Sequence, residues 1–348
     1  MKKFIPFIVI ILLVLALLGI SRIQGVKDYV PQVGISQTKD GQEIKITHPL
    51  QIEVMRNEEY PGSDIVIQEK LPDGNGFERY IASYTSDGNS INGLLAIPKG
   101  DAPAGGWPAV VFNHGYIQPE VYRREQKYVA YVAGFASNGY VVFMSDYRGH
   151  QDSEGQPLGA YFSPAYTTDV LNAYESLKKY PNVNPDKVGM WGHSMGGHIV
   201  LRSMVVNPDI KVGVIWGGVV ASYEDMVTRW NRNRPWRPSE RENMSHRPGR
   251  GNLEEEYGDI SANADFWQSI SPIYFVEDIS GPIQIHHGLS DETVPWQFSE
   301  SLYNALTEAD KEVEYYTYEG GDHNLSGSSF SPAMQRSVEY FDKYLKGE

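Results

Sequence analysis

Apolar and polar positions follow two rhythms along this chain, and the second begins near Arg79. From there, short apolar runs at 109–112, 140–144, 188–191, 212–216, 283–285 and 313–318 alternate with stretches of helical spacing or helix-forming composition. Those stretches lie near 122–137, 166–180, 195–206, 296–309 and 332–346. Short apolar runs bounded by turn residues read as buried strands, and a 3.6-residue period reads as amphipathic helix. Strands alternating with helices over this length predict an α/β fold, with a mostly parallel central sheet and helices on both faces. Ahead of them, 80–84 and 91–97 pair as a hairpin across the turn residues Ser86-Asp87-Gly88-Asn89.

Two segments depart from this rhythm. Residues 26–78 are polar and punctuated by Pro, Gly and Asp, with short alternating stretches at 43–47 and 65–68. They read as a linker and a small β-rich extension, too short to hold the several 40–50-residue blades of a β-propeller. Residues 222–270 interrupt the strand–helix alternation. They contain Arg229, Arg232, Arg234, Arg237, Arg241 and Arg247, the tryptophans Trp230, Trp236 and Trp267, and an acidic run at 254–256. This reads as a cap-like insertion in a catalytic domain spanning 79–348. Its aromatic residues suit a pocket wall, and its arginines suit a solvated face.

Residues 1–25 have a different pattern. Met1-Lys2-Lys3 precedes an uncharged apolar run over 4–20. Its length lies between a signal-peptide core and a membrane-spanning helix, so both a retained anchor and a cleaved signal are expected readings. In either case the lysines stay inside and the rest of the chain is exported. The formal net charge of −14 argues against a nucleic-acid partner. The absence of cysteine excludes disulfides, thiolate metal sites and a cysteine nucleophile. The oligomeric state is not legible.

One motif turns this outline toward chemistry. Gly192-His193-Ser194-Met195-Gly196 has the form G-x-S-x-G, between the apolar run at 188–191 and helical spacing after 195. A strand–turn–helix setting of this kind is a nucleophile elbow: its glycines allow a sharp turn that projects the serine hydroxyl above the sheet. A serine hydroxyl is a weak nucleophile until a base takes its proton and a carboxylate orients that base. Asp291 follows the run at 283–285 and His323 follows the run at 313–318, completing the Ser…Asp…His order expected after such an elbow. Asp322 and Glu292 compete for the acid role. His286 and His287 read as packing or supporting groups, His193 as structural, and His198 as a weak candidate for any role. The oxyanion donors are expected to be the Met195 N–H and a group in the Asn113-His114-Gly115-Tyr116 loop. In that loop either the Tyr116 N–H or the Tyr116 hydroxyl fits. No metal or organic cofactor is required.

Together, residues 192–197, the His114-Gly115-Tyr116 loop, Asp146-Tyr147-Arg148-Gly149-His150, residues 291–295 and the Asp322-His323 pair resemble the catalytic domain of the prolyl oligopeptidase family of serine peptidases. The resemblance extends from about residue 80 to 346 and lacks the β-propeller of the larger relatives. It implies an α/β-hydrolase fold, with Ser194 as nucleophile, Asp291 as orienting acid and His323 as base. It also implies a peptide substrate and a tyrosine hydroxyl in the oxyanion hole, a role open to Tyr116. Carboxylesterases that use the same triad, including those acting on polysaccharide-linked esters, are the alternative. A catalytically dead binding module is a distant one.

Overall fold

The computed structural model describes residues 34–37, 43–46, 48–230, 237–245 and 248–348. The apolar run at 4–20 lies outside them, as do Arg232, Arg234, Trp236 and Arg247. Among the described residues no helix is long and apolar enough to cross a membrane. The chain divides into two units, residues 1–48 and 49–348. In the first, β1 (Gly34–Gln37) pairs antiparallel with β2 (Glu43–Ile46).

The second unit starts earlier than the sequence suggests. The expected boundary at 78/79 gives way to one at Pro49 because residues 49–78 are tied into the larger unit. Helix α1 (Ile52–Arg56) buries Ile52 and Met55, and β3 (Val66–Leu71) pairs antiparallel with β4 (Phe77–Ser86). The signal in 65–68 was a strand of the main sheet, not of a separate extension. β4 turns into β5 (Asn89–Pro98) through Asp87 and Gly88, both at positive φ, as a tight two-residue hairpin requires.

The alternating core follows: β6 (Trp107–Asn113), α2 (Val129–Ala136), β7 (Val141–Ser145), α3 (Ala165–Lys178), β8 (Val183–His193), α4 (Met195–Val206) and β9 (Gly213–Trp216). The insertion carries α5 (Tyr223–Thr228), α6 (Glu240–Met244), α7 (Arg250–Tyr257) and α8 (Ala264–Ser269). The chain closes with β10 (Ile283–Gly288), α9 (Gln297–Glu308), β11 (Val313–Tyr318) and α10 (Phe330–Phe341). Among the described residues, β3 to β11 form one nine-stranded sheet in the order β3-β4-β5-β7-β6-β8-β9-β10-β11. The pairs from β7 to β11 are parallel, and β3, β4 and β5 form the antiparallel side.

Side-chain alternation explains the two helical layers. Along β6, Ala109 and Val111 enter the core beneath α1, α3, α4 and α9, while Val110 and Phe112 enter the core beneath α2 and α10. α9 presents Phe298, Leu302 and Leu306 at i, i+4 and i+8, each worth about 1.5–3 kcal/mol of burial. α2 is shorter than the helical stretch predicted near 122–137. Tyr128 has φ +59°, which no right-handed helix can pass through, and Arg124 turns inward to pair with Asp146. Parallel strands place all their C-terminal ends on one edge, so the loops after β6, β8, β10 and β11 gather there.

Candidate active site

Ser194 sits between β8 and α4 with φ +57° and ψ −116°, outside the regions a non-glycine residue normally occupies. Its neighbours hold it there. Ser194 N–H donates to Trp216 O at 3.0 Å, and its carbonyl accepts from Gly197 and Val219. The motif's glycines make the crossing possible. A Cβ on Gly192 would lie 2.3 Å from Gly196 O, one on Gly196 would lie 1.9 Å from Asn113 O, and one on Gly197 would lie 2.8 Å from Gly218 Cα.

Asp291 and His323 meet across the ends of β10 and β11. The Asp291 side chain is buried, and its Oδ2 accepts from His323 Nδ1 at 2.7 Å. The same oxygen receives His287 Nε2 at 3.1 Å, while Oδ1 accepts the Thr293 and Val294 amides at 2.7 and 2.9 Å. Burial pushes the Asp291 carboxyl up, but these hydrogen bonds outweigh it and hold the group well below the ordinary carboxylate range. The loops fit because Gly288 has no side chain: a Cβ there would lie 2.2 Å from Gly321 O. Ser194 and His323 line one cavity of about 1450 Å³. No hydrogen bond joins their side chains among the described residues; such bonds often tighten only with substrate bound.

The competing residues take other positions. Asp322 spends its carboxylate on Ser326, and His286 turns to Gln284 and Tyr318 in the core beneath α10. Glu292 lines the cavity. His198 is buried against Val219 O, and burial pushes it well below the ordinary histidine range. His193 is engaged at both ring nitrogens, with the Tyr128 hydroxyl at 2.7 Å and His323 O at 2.8 Å. Its burial, with the His323 ring nearby, pushes it down to about 3.

The loop after β6 faces the elbow. A Cβ on Gly115 would lie 2.7 Å from Tyr128 Oη and 3.2 Å from Ser194 Cβ, so a larger residue there would push the loop off its support. Met195 is the first residue of α4, where backbone N–H groups lack acceptors within the helix. The Tyr116 hydroxyl, the alternative donor, instead gives its proton to Glu242 in α6 at 2.7 Å. Behind the loop, the His114 ring lies between Tyr122 and Tyr147, and the Tyr147 hydroxyl donates to His114 O at 3.0 Å. Asp146 and Arg148 anchor this support through buried pairs with Arg124 and Asp169. The Asp146–His150 motif therefore buttresses the loop.

The insertion forms part of the cavity wall, including Met226, Val227, Trp230 and Glu242. It also grips the loops below. Trp230 Nε1 donates to Thr293 O at 2.8 Å, beside Asp291, and Glu242 holds Tyr116. Trp230 is among the aromatic residues expected to suit a pocket wall, but no local pattern marks Glu242 or either of these two contacts. The contacts cross 63 and 126 positions of sequence. His287 carries a detectable signal, four residues before Asp291 at the end of the same strand.

Sheet order and elbow define an α/β-hydrolase. The chain belongs to the prolyl oligopeptidase family, whose model matches residues 126–348, and is a serine hydrolase of that family. It is 28% identical over 261 residues to the Bacillus subtilis (strain 168) protein named uncharacterized peptidase YtmA, covering 74% of this chain and 91% of that one. Its fold is similar to that of Pyrococcus horikoshii acylaminoacyl peptidase, with a TM-score of 0.59 and 20% identity. That match covers 78% of this chain and 42% of the peptidase, so the chain spans under half of that enzyme. The acetyl xylan esterase from Paenibacillus sp. R4 has a TM-score of 0.61 and 18% identity, over 83% of this chain and 92% of the esterase. At these identities the likeness is one of fold.

Proposed function

We propose that the protein is a serine peptidase that cleaves amide bonds through an acyl-enzyme, with Ser194 as nucleophile, His323 as base and Asp291 as orienting acid. The 2.7 Å Asp291–His323 hydrogen bond beside a strained Ser194 on the same cavity carries the triad, and membership of the prolyl oligopeptidase family favours the amide substrate. In the first step His323 Nε2 takes the Ser194 proton as Oγ attacks the substrate carbonyl carbon. Asp291, held ionised, keeps the proton on His323 Nδ1 and stabilises the imidazolium. The Met195 N–H and the Tyr116 N–H receive the negative oxygen. The Tyr116 hydroxyl is less suited, since Glu242 holds it. The imidazolium then protonates the leaving amine. Water, activated by the same base, releases the acid and restores Ser194.

The insertion acts as a cap whose aromatic residues contact the substrate. The N-terminal segment exports the catalytic unit, either anchored in the membrane or released from it. A carboxylesterase is the second reading, with an alcohol leaving group. It is favoured by the esterase whose whole length this chain nearly spans. Parallel assays with peptide anilides and short acyl esters separate the two. Turnover of esters with no detectable anilide cleavage rejects the peptidase reading. A fluorophosphonate probe that leaves Ser194 unlabelled rejects both in favour of an inactive binding module.

A further inference from the structure

Tyr128 is an aromatic residue at φ +59°, a conformation bulky side chains seldom adopt. It points its hydroxyl back under the elbow, where three hydrogen bonds run in series. Gly115 N–H donates to Tyr128 Oη at 2.9 Å, Oη lies 2.7 Å from His193 Nδ1, and His193 Nε2 lies 2.8 Å from His323 O. The direction of the series follows from chemistry. A carbonyl only accepts, so His193 Nε2 carries the proton. The ring is packed among Tyr128, Tyr131, Trp191 and His323, which favours the neutral form. Its Nδ1 then has only a lone pair and must accept from Tyr128. The Tyr128 oxygen is left to accept from Gly115. Tyr128 Oη accepts one bond and donates the other, each ring nitrogen of His193 makes one, and only one arrangement of protons satisfies the series.

We infer that Tyr128 and His193 are positioning residues that hold the oxyanion loop and the base loop in register across Ser194. The inference rests on the proposed roles of Ser194 and His323. The residue bearing the base is pinned by its main-chain oxygen, and the loop facing the nucleophile is pinned by the Gly115 amide. That amide is therefore committed to Tyr128 and not to a substrate oxygen. His193 links the two from the position next to the nucleophile. The base and the oxyanion donors thus move together, and removing one link loosens both.

The experiment uses the wild-type chain and the variants Tyr128→Phe, His193→Leu, His193→Gln, the Tyr128→Phe/His193→Leu double variant and Ser194→Ala. They are assayed on whichever ester or anilide the wild type turns over, with unfolding midpoints measured alongside. Tyr128→Phe is expected to lower kcat by about 10- to 100-fold with KM within about threefold, because small misplacements of reacting groups cost rate more than binding. The midpoint of this variant should fall modestly, because the Gly115 N–H and His193 Nδ1 lose their partner, with a cooperative unfolding transition retained. His193→Gln, whose amide offers an acceptor and a donor at nearly the ring's spacing, should retain more activity than His193→Leu. The double variant should lose little beyond the worse single variant, as members of one network do. In 15N spectra, the resonance lost in His193→Gln should show Nε2 protonated and Nδ1 bare. Unchanged kcat in Tyr128→Phe, a multiplicative loss in the double variant, or a protonated Nδ1 would overturn the inference. Activity surviving in Ser194→Ala would instead overturn the reading beneath it, and the spectra would still report on the hydrogen-bond chain.

Discussion

Asp291 has two carboxylate oxygens, and each already receives two hydrogen bonds or close polar contacts. An amide in its place supplies a donor where His323 also needs to donate, so His323 loses the tautomer its proposed role as base requires. Asp291→Asn is expected to lower kcat by about 10⁴-fold, and Ser194→Ala by roughly four to six orders of magnitude. Single-turnover acylation rates check both, and near-normal rates in either variant refute the assigned role. The sequence could rank Ser194, Asp291 and His323 because motif and chain order are local and ordinal properties. It could not show that His287 also binds Asp291, or that Asp322 is occupied by Ser326. Those depend on how loops fold back.

At the scale of elements, the elbow and the insertion make opposite demands. The elbow tolerates no added atom: Gly196→Ala puts a methyl 1.9 Å from Asn113 O and is expected to destabilise the protein by about 3 kcal/mol. Gly251 in α7 meets nothing within 4 Å, so Gly251→Ala should be neutral or stabilising by up to about 1 kcal/mol. Urea midpoints of the two variants measure the contrast, and equal shifts contradict it. The insertion is a wall and a clamp at once. Trp230 lines the cavity and bonds the acid loop, so Trp230→Ala should lower kcat/KM for large apolar substrates about tenfold more than for small ones. A size-independent loss shows that Trp230 acts only through Asp291's loop. Strands at 109–112, 188–191 and 313–318 and the helix at 195–206 were readable because their periods are local. Helix α1, the shortened α2 and the grip of the insertion were not, because each is set by partners far along the chain.

For the whole molecule, buried histidines govern the response to acid. Burial pushes His114 down to about 4 and His150, His193 and His286 down to about 3, and it pushes His198 well below its ordinary value. In the unfolded chain each titrates near 6.5. Their folded values are depressed, so their stabilising effect is fully present above about pH 6.5 and is lost as pH falls. In that range the unfolded state binds more protons, and each histidine contributes up to about 1.4 kcal/mol of lost stability per pH unit. Unfolding midpoints are therefore expected to change little from pH 7.5 to about 7 and to fall increasingly steeply from there to pH 5.5. A flat or rising profile would mean that these rings are not held neutral.

The sequence alone determined the layered α/β fold, the elbow and the order of Ser194, Asp291 and His323. Strand and helix periods, turn glycines and chain order are carried by neighbouring residues. The tertiary structure decided where the larger unit begins, which carboxylate faces His323, and how the insertion and His193 join loops far apart in sequence. Those outcomes depend on long-range packing and on matching each buried donor to an acceptor, and neither leaves a local pattern.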